Sequence, residues 1–280
     1  MKNLENAGKS ASTLTSYSKD IEQLVKFLEI EGVELVHLIE LAHLENFMAG
    51  LSDEGYTAKT ISRKTNATKT FFRFLHSETH ITINVADELK HPKVESKDPR
   101  ILSKIEYRAL RDAARDDVRS YAMVEVLLQA GLTISELSGM KVEHLDIKGD
   151  VGSLFVPEFN NKEARYVPLN RAVVEALTKY IETARPKIEG SENVFITKTG
   201  RPLLVRNIRS TIDRYFKLAG VEKARVNDLR HTFVAHHLAN GVGILHLSKV
   251  AGHKRVSTTE RYLQYIELEE KGTKTELGVL

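Results

Sequence analysis

At 280 residues, with 41% hydrophobic and 28% charged side chains, the chain fits one large domain or two modest ones and has an ordinary globular balance. It has no cysteine, which excludes disulfides and thiolate metal sites, and no apolar run long enough to cross a bilayer. The net charge of +3 does not by itself call for a polyanionic partner, so the placement of charge must carry that argument. The opening MKNLENAGKSAS lacks the apolar stretch of a signal peptide, and a cytoplasmic location is expected.

The first elements read as helices. Thr15 to Leu28 places Tyr17, Ile21, Leu24, Val25 and Leu28 at helical spacing, and the acid-rich segment Val33 to Met48 follows. From Tyr56 to His76 the charge changes sign: Lys59, Arg63, Lys64, Lys69 and Arg73 stand there without Asp or Glu, with Ile61, Phe71, Phe72 and Phe74 as the buried side. Such a helix beside an acidic neighbour suits a directional contact with a polyanion, and it equally fits a solvated basic face. His91 to Arg100 carries prolines and charges with almost nothing apolar, as a linker does. We place a helical domain at 1–93, the linker at 94–101 and a second domain at 102–280.

Ser103 to Glu106 has the capping-box pattern that opens a helix, and helices are expected to Leu137. Asp150 to Ser153 and Phe159 to Lys162 read as turns around short strands at Leu154–Pro157 and Arg165–Leu169, forming a small antiparallel sheet. From Arg171 the chain is predicted helical to about Glu270, with a break near Pro186–Pro202.

The most informative run is Asn227 to Tyr262. Asp228 or Asn227 is expected to cap a helix that ends at Gly241, with Leu229, Phe233 and His237 inward and Arg230 in the first turn, where a guanidinium and free N–H groups favour an anion. A second helix, Ile244 to Val250, ends at Gly252 and releases His253. Ser257 to Glu260 reads as a further capping box, with Tyr262 just inside the helix it opens. A phenol needs a proton acceptor and nearby positive charge to act as a nucleophile. Each residue alone has an ordinary structural explanation; Arg230, His253 and Tyr262 together suit attack on a phosphodiester. His231, His236 and His237 share one helix without an HExxH pattern or acidic cluster, so no metal is expected.

These motifs resemble the tyrosine recombinase and phage integrase family, Xer-like members included, across nearly the whole chain. Thr15 to Asp20 through Phe27-Leu28, Thr60 to Arg63, Phe71 to Leu75, Asn84 to Ala86 and His91 to Lys93 match the N-terminal core-binding domain. Gly131 to Leu137 (GLTISEL), Val167 to Leu169, Asp228 to Phe233, Gly252-His253 and Ser257 to Tyr262 match the catalytic domain in order. The resemblance implies a mainly α fold: a two-domain C-clamp with a helical SAM-like N-terminal domain and an α+β catalytic domain bearing a small antiparallel sheet. It implies site-specific recombination or integration of double-stranded DNA through a 3′-phosphotyrosyl bond on Tyr262. The bond conserves the phosphodiester energy, so no cofactor is expected. Expected partners are duplex DNA and further copies of the chain in a tetrameric synapse, or a partner recombinase, at the nucleoid. A tail contact through Leu268 on the next protomer is expected alongside the alternative of a frayed terminus.

The family places an arginine where this chain has Thr133, a histidine where it has Asn227 and a β-turn lysine where it has Asn160. Lys162, two residues on, substitutes for that lysine if the turn is slipped. Losing one preorganised charge-stabilising group costs about 10²–10³ in rate, so activity is expected to be reduced unless Arg165 or Arg255 stands in. The expected catalytic set is Tyr262, Arg230, His253 and Lys162. Expected DNA contacts are Lys59, Arg63, Lys64, Lys69, Arg73, Arg165 and Arg255. Two other readings stay open: a recombinase-fold protein that binds specific DNA without cutting, and a helical interaction module with chance motif matches.

Overall fold

The computed structural model describes residues 8, 11–95, 97–159 and 162–266. The chain divides into two compact units, Met1–Lys97 and Asp98–Leu280. Among the described residues no helix is long and apolar enough to cross a membrane.

The first unit is built on three helices, α1 (Ala11–Ile30), α2 (Leu41–Asp53) and α3 (Ala58–Ser77), with single 3₁₀ turns at Val36–Leu38 and Val85–Glu88. Helical spacing gathers Leu24, Leu28, Leu44, Phe47, Leu51, Ile61, Phe72 and Leu75 into one core. Burying each such side chain contributes about 1.5–3 kcal/mol. The hydroxyl of Thr57 accepts the Thr60 N–H and fixes where α3 begins.

One expectation for α3 is corrected. Lys64 is buried, not presented to a ligand: its Nζ donates to Asp20 at 2.9 Å and to Gln23 at 2.6 Å, both on α1. Arg63 also donates to Asp20. Asp20 itself is buried, so it requires cations, and α3 supplies them from its inner edge. Lys69 lies partly buried and donates to the Asp87 carbonyl, while Lys59 and Arg73 are exposed.

The second unit opens as the Ser103 pattern predicts. Ser103 and Glu106 exchange the two capping bonds that start α4 (Lys104–Ala114). Next comes α5 (Val118–Gln129), buried from Ala122 to Leu128, against which α4, α7 (Arg171–Lys179) and α9 (Val226–Ala239) pack. Its Glu125 has no exposure and is held by Arg111 and Gln129. Short α6 (Ile134–Ser138) and α8 (Val205–Leu218) lie against each other.

The sheet has three strands, not two: β1 (Leu145–Lys148), β2 (Val151–Val156) and β3 (Arg165–Leu169), antiparallel in that order. The expected turn at Asp150–Ser153 is shorter, because Gly149 adopts φ +63° and lets the chain reverse before Val151. In β3, Val167 and Leu169 are buried while Tyr166 and Pro168 are exposed, so the two-residue period puts Arg165 on the inner face. That face meets α10 (Ile244–Ala251).

Candidate active site

Five segments of the second unit deliver the site. The first is the loop into α6. Gly131 takes φ +62°, and a Cβ there would overlap the Phe233 ring, so only glycine lets this loop lie against α9. Thr133, at the position where the resemblance expects arginine, is the N-cap of α6. Its hydroxyl accepts the Glu136 N–H at 3.3 Å, and Glu136 returns a carboxylate oxygen to the Thr133 N–H at 2.8 Å. Thr133 therefore aims a buried carboxylate.

Glu136 receives Arg165 Nη1 at 2.9 Å and lies 3.4 Å from Lys162 Nζ. Burial alone would raise its pKa. The hydrogen bond and charge of Arg165, the Thr133 N–H and the charge of Lys162 outweigh that and lower it to about 2. Arg165 Nε donates to the Val250 carbonyl at 2.8 Å, and its Nη2 is buried with no hydrogen-bond partner among the described residues. Burial lowers the Lys162 pKa, with Arg230 and Arg165 acting in the same direction and Glu136 opposing.

Helix α9 supplies Arg230 and His231. It begins two or three residues earlier than expected, with Arg225 as N-cap and Asp228 as the third helical residue, which bonds back to the Arg225 N–H at 2.8 Å. Neither Asn227 nor Asp228 is the cap, and Arg230 lies beyond the first turn, away from the free N–H groups. Arg230 is buried, and its guanidinium bridges two carbonyls, Gly131 and Ala251, each at 2.5 Å. Burial lowers its pKa, as does Arg165; Glu136 and Tyr262 oppose.

At the end of α10, Gly252 adopts φ +68°. The N–H groups of Gly252 and His253 bond to the carbonyls of Lys249 and Ser248, closing a Schellman motif. A Cβ on Gly252 would lie 2.7 Å from Arg165 Cζ and 2.8 Å from its Nη1, so the bare glycine is the floor on which that guanidinium rests. The expected box at Ser257–Glu260 is absent: α11 (Ser257–Glu260) has no side-chain cap, and Thr259 instead faces His253 Nδ1 at 2.7 Å. Tyr262 sits in the 3₁₀ turn Arg261–Tyr265 that follows. His253 stacks parallel to the Tyr262 ring with centroids 6.5 Å apart, and burial with the charges of Arg230 and Lys162 lowers its pKa to about 4. Burial raises the Tyr262 pKa, against the charges of Arg230 and Arg261.

Arg230, His253, Tyr262, Lys162 and Arg165 are thus brought together. Arg255 is exposed outside this cluster. Asn227 is exposed and hydrogen-bonds His231 at 2.8 Å. Asn160 and Leu268 lie outside the described residues. His236 is exposed, and His237 packs edge-on against Phe233 at 4.5 Å. Sequence reasoning missed two members. Glu136 was legible as the second half of a Thr-x-x-Glu box. His231 touches Tyr262 across 31 residues of chain, and no local spacing signals that. Three buried or half-buried cations around one carboxylate leave positive charge that an incoming anion would balance, beside a phenol.

Comparison with known proteins agrees in order and extent. Residues 100–267 match the phage integrase family model, and residues 2–79 match the phage integrase N-terminal SAM-like domain. The tyrosine recombinase XerC of Natranaerobius thermophilus is 32% identical over 263 residues, covering 89% of this chain and 87% of that protein. A crystal structure of XerA recombinase superposes with a TM-score of 0.53 at 26% identity, over 93% of this chain and 90% of that one. The fold is also that of a lambda integrase dimer bound to a COC′ core site, with a TM-score of 0.72 at 21% identity over 92% of this chain and 93% of that chain. Both units are matched in order, and the chain belongs to the phage integrase family of tyrosine recombinases.

Proposed function

We propose that this chain is a site-specific DNA recombinase or integrase that cleaves one strand of a duplex with Tyr262. The supporting observation is the surplus of positive charge beside the phenol: Arg165 and Lys162 pair with the carboxylate of Glu136, Arg230 stands near it with its own bonds spent on two carbonyls, and Arg165 Nη2 has no hydrogen-bond partner among the described residues. A phosphodiester adds one negative charge and an acceptor for the unpaired guanidinium nitrogen. In this reading Arg165 supplies the second guanidinium that Thr133 lacks, reaching the phosphate from β3 rather than from α6.

Tyr262 attacks phosphorus and the 5′-oxygen leaves. Arg230 and Arg165 hold the non-bridging oxygens. His253, neutral because its pKa lies near 4, donates or accepts a hydrogen bond without adding charge. Lys162, whose pKa burial lowers, gives the leaving oxygen its proton. The 3′-phosphotyrosyl bond keeps the energy of the broken one, so religation needs no cofactor. Exposed Lys59 and Arg73 and solvent-facing Arg255 are proposed as contacts to the DNA backbone, with residues 1–93 as the core-binding domain and 102–280 as the catalytic domain. The working unit is a homo-oligomer on DNA, a tetrameric synapse of two sites.

A second reading, specific binding without cutting, is favoured by one observation: no arginine stands at position 133, and Thr133 is committed to capping α6. One experiment separates the two. Duplexes recovered by binding selection from a random pool are nicked next to each candidate phosphate and incubated with the chain. A covalent adduct that disappears in Tyr262→Phe supports cutting. A gel shift without adduct supports binding alone.

A further inference from the structure

We infer that His231 is the base that takes the phenol proton when Tyr262 attacks, and that Asn227 positions its ring; this rests on the reading that the chain cuts DNA. The geometry is direct. His231 Nδ1 lies 2.5 Å from the Tyr262 hydroxyl. The other ring nitrogen, Nε2, lies 2.8 Å from the side-chain amide of Asn227, one turn earlier on the same face of α9. The amide atom placed there is Nδ2; turned over about its C–C bond, which exchanges nitrogen and oxygen in the same outline, the amide presents its oxygen, Nε2–H donates to it and Nδ1 is left bare to accept the phenol O–H. In that arrangement one tautomer satisfies every bond and leaves the phenol facing a base; with Nδ2 toward the ring the opposite tautomer would hold, and the two differ in which ring nitrogen carries the proton.

His253 is the other imidazole at the phenol, and it is placed differently. Its ring lies parallel to the Tyr262 ring, 5° between planes, and its Nδ1 faces Thr259. The His231 ring is tilted by 41° with a nitrogen at the hydroxyl. The charged and titratable groups facing His231 are Asp228 and Arg230 from α9, His253 after α10, and Tyr262 itself. Burial and Arg230 keep the resting imidazole neutral, and Asp228 favours the imidazolium once it forms.

The step balances. The Tyr262 proton passes to Nδ1, the phenolic oxygen bonds phosphorus, and the bond from phosphorus to the 5′-oxygen breaks with its electron pair on that oxygen. The 5′-oxygen takes a proton from the Lys162 ammonium. Religation reverses each transfer. Asn227, which has no proton to exchange near neutral pH, contributes by holding the ring that does.

The test uses the selected duplex in two forms, with oxygen or with sulfur bridging phosphorus to the 5′-carbon. A thiolate leaves without a proton donor, so acid and base defects separate. Lys162→Ala recovers on the sulfur substrate. His231→Gln forms the Tyr262 adduct about a hundredfold more slowly than wild type on both substrates and loses the acidic limb of the pH–rate profile. Asn227→Asp moves that limb to higher pH, because a carboxylate on Nε2–H stabilises the imidazolium; a purely structural role would not shift it. Nitrogen NMR of the wild-type chain without DNA should show Nε2 protonated and Nδ1 bare, with the Nδ1 signal displaced in Tyr262→Phe. That measurement does not depend on how the variants fold. A wild-type adduct formed equally fast by His231→Gln with the limb intact, or a protonated Nδ1, overturns the assignment and leaves the cutting reading standing. No adduct from the wild type on either substrate overturns the cutting reading, and this inference with it.

Discussion

The two units each bury a carboxylate among cations, and they do so to opposite ends. In the first unit, Asp20 has Lys64 at 2.9 Å and Arg63 beside it, and Lys64 finds a further acceptor in Gln23. Arg63 keeps 42% of its side-chain surface in solvent, so the extra charge there is hydrated. In the second, Glu136 is the carboxylate for Arg165 and Lys162, Arg230 stands next to them, and Arg165 retains 9% exposure with one buried nitrogen unpaired among the described residues. A satisfied buried pair fixes how α1 meets α3 and has nothing left to offer a ligand. A buried cluster with surplus charge is a site prepared for an anion. The difference shows that counting basic residues along a chain says little about binding; what matters is which acceptors the fold has already given them.

Arg165→Met breaks this comparison most directly. It leaves Glu136 with only Lys162 and the Thr133 N–H, so unfolding free energy should fall by about 4 kcal/mol. In wild type, sulfate should raise the unfolding temperature by binding the folded cluster, and in Arg165→Met that increment should vanish. If the variant still responds to sulfate as wild type does, the cluster is not the anion site. Lys64→Met should destabilise by about 3 kcal/mol, since Asp20 keeps Arg63, while leaving the sulfate response intact. Chemical denaturation of the two variants with and without sulfate gives both readings.

Acid should act through the second unit. The folded Glu136 pKa is about 2 against an ordinary 4.5, so its contribution is fully present above pH 4.5 and is lost as pH falls from 4.5 toward 2. The difference corresponds to about 3 kcal/mol. Glu136→Gln should be less stable at pH 7 and show a flatter stability profile across that window, measured by thermal unfolding. A wild-type profile with the same slope as the variant would mean that the carboxylate is not held by its cations.

Most of this fold was readable before the structure, for identifiable reasons. Helical spacing at Leu24 and Leu28, the Ser103–Glu106 box and the Gly252 stop are local signals, and each is where the chain turns or packs as it should. Strand β1 was missed because Leu145–Lys148 is too short to display its alternation, and its turn rests on Gly149 alone. Arg230, His253 and Tyr262 converge as their motifs suggest. The burial of Lys64 was not legible, because its acceptors Asp20 and Gln23 lie on another helix 44 and 41 residues earlier. The contact of His231 with Tyr262 is hidden for the same reason: sequence shows residue types and local period, and neither contains the distance across a core.

Gly252→Ala probes the floor under Arg165 with a smaller change. A Cβ at φ +68° costs about 1–2 kcal/mol in backbone strain, and it would press on the Arg165 guanidinium. We expect a modest loss of stability together with a loss of adduct yield larger than that strain explains, because Arg165 is displaced from the phosphate. Adduct assays on the selected duplex, run at a temperature where both proteins are folded, separate the two effects. Equal adduct yields would mean that the position of Arg165 does not matter to the chemistry.

The smallest effects belong to the exposed cations of α3, and they sharpen the comparison from the other side. Lys59 and Arg73 are solvent-facing, so their removal should change stability by less than about 0.5 kcal/mol. If either contacts a backbone phosphate, Lys59→Ala or Arg73→Ala should lower the slope of log affinity against log salt by about 0.9 for that lost contact, roughly equally on specific and random duplexes. Lys64→Met should leave that slope unchanged, because Lys64 is bound to Asp20 and Gln23 inside the unit. A slope that falls for Lys64→Met and not for Lys59→Ala would reverse the assignment: it would require the buried pair to open on DNA, making Asp20 a carboxylate exchanged for phosphate rather than a fixture of the fold.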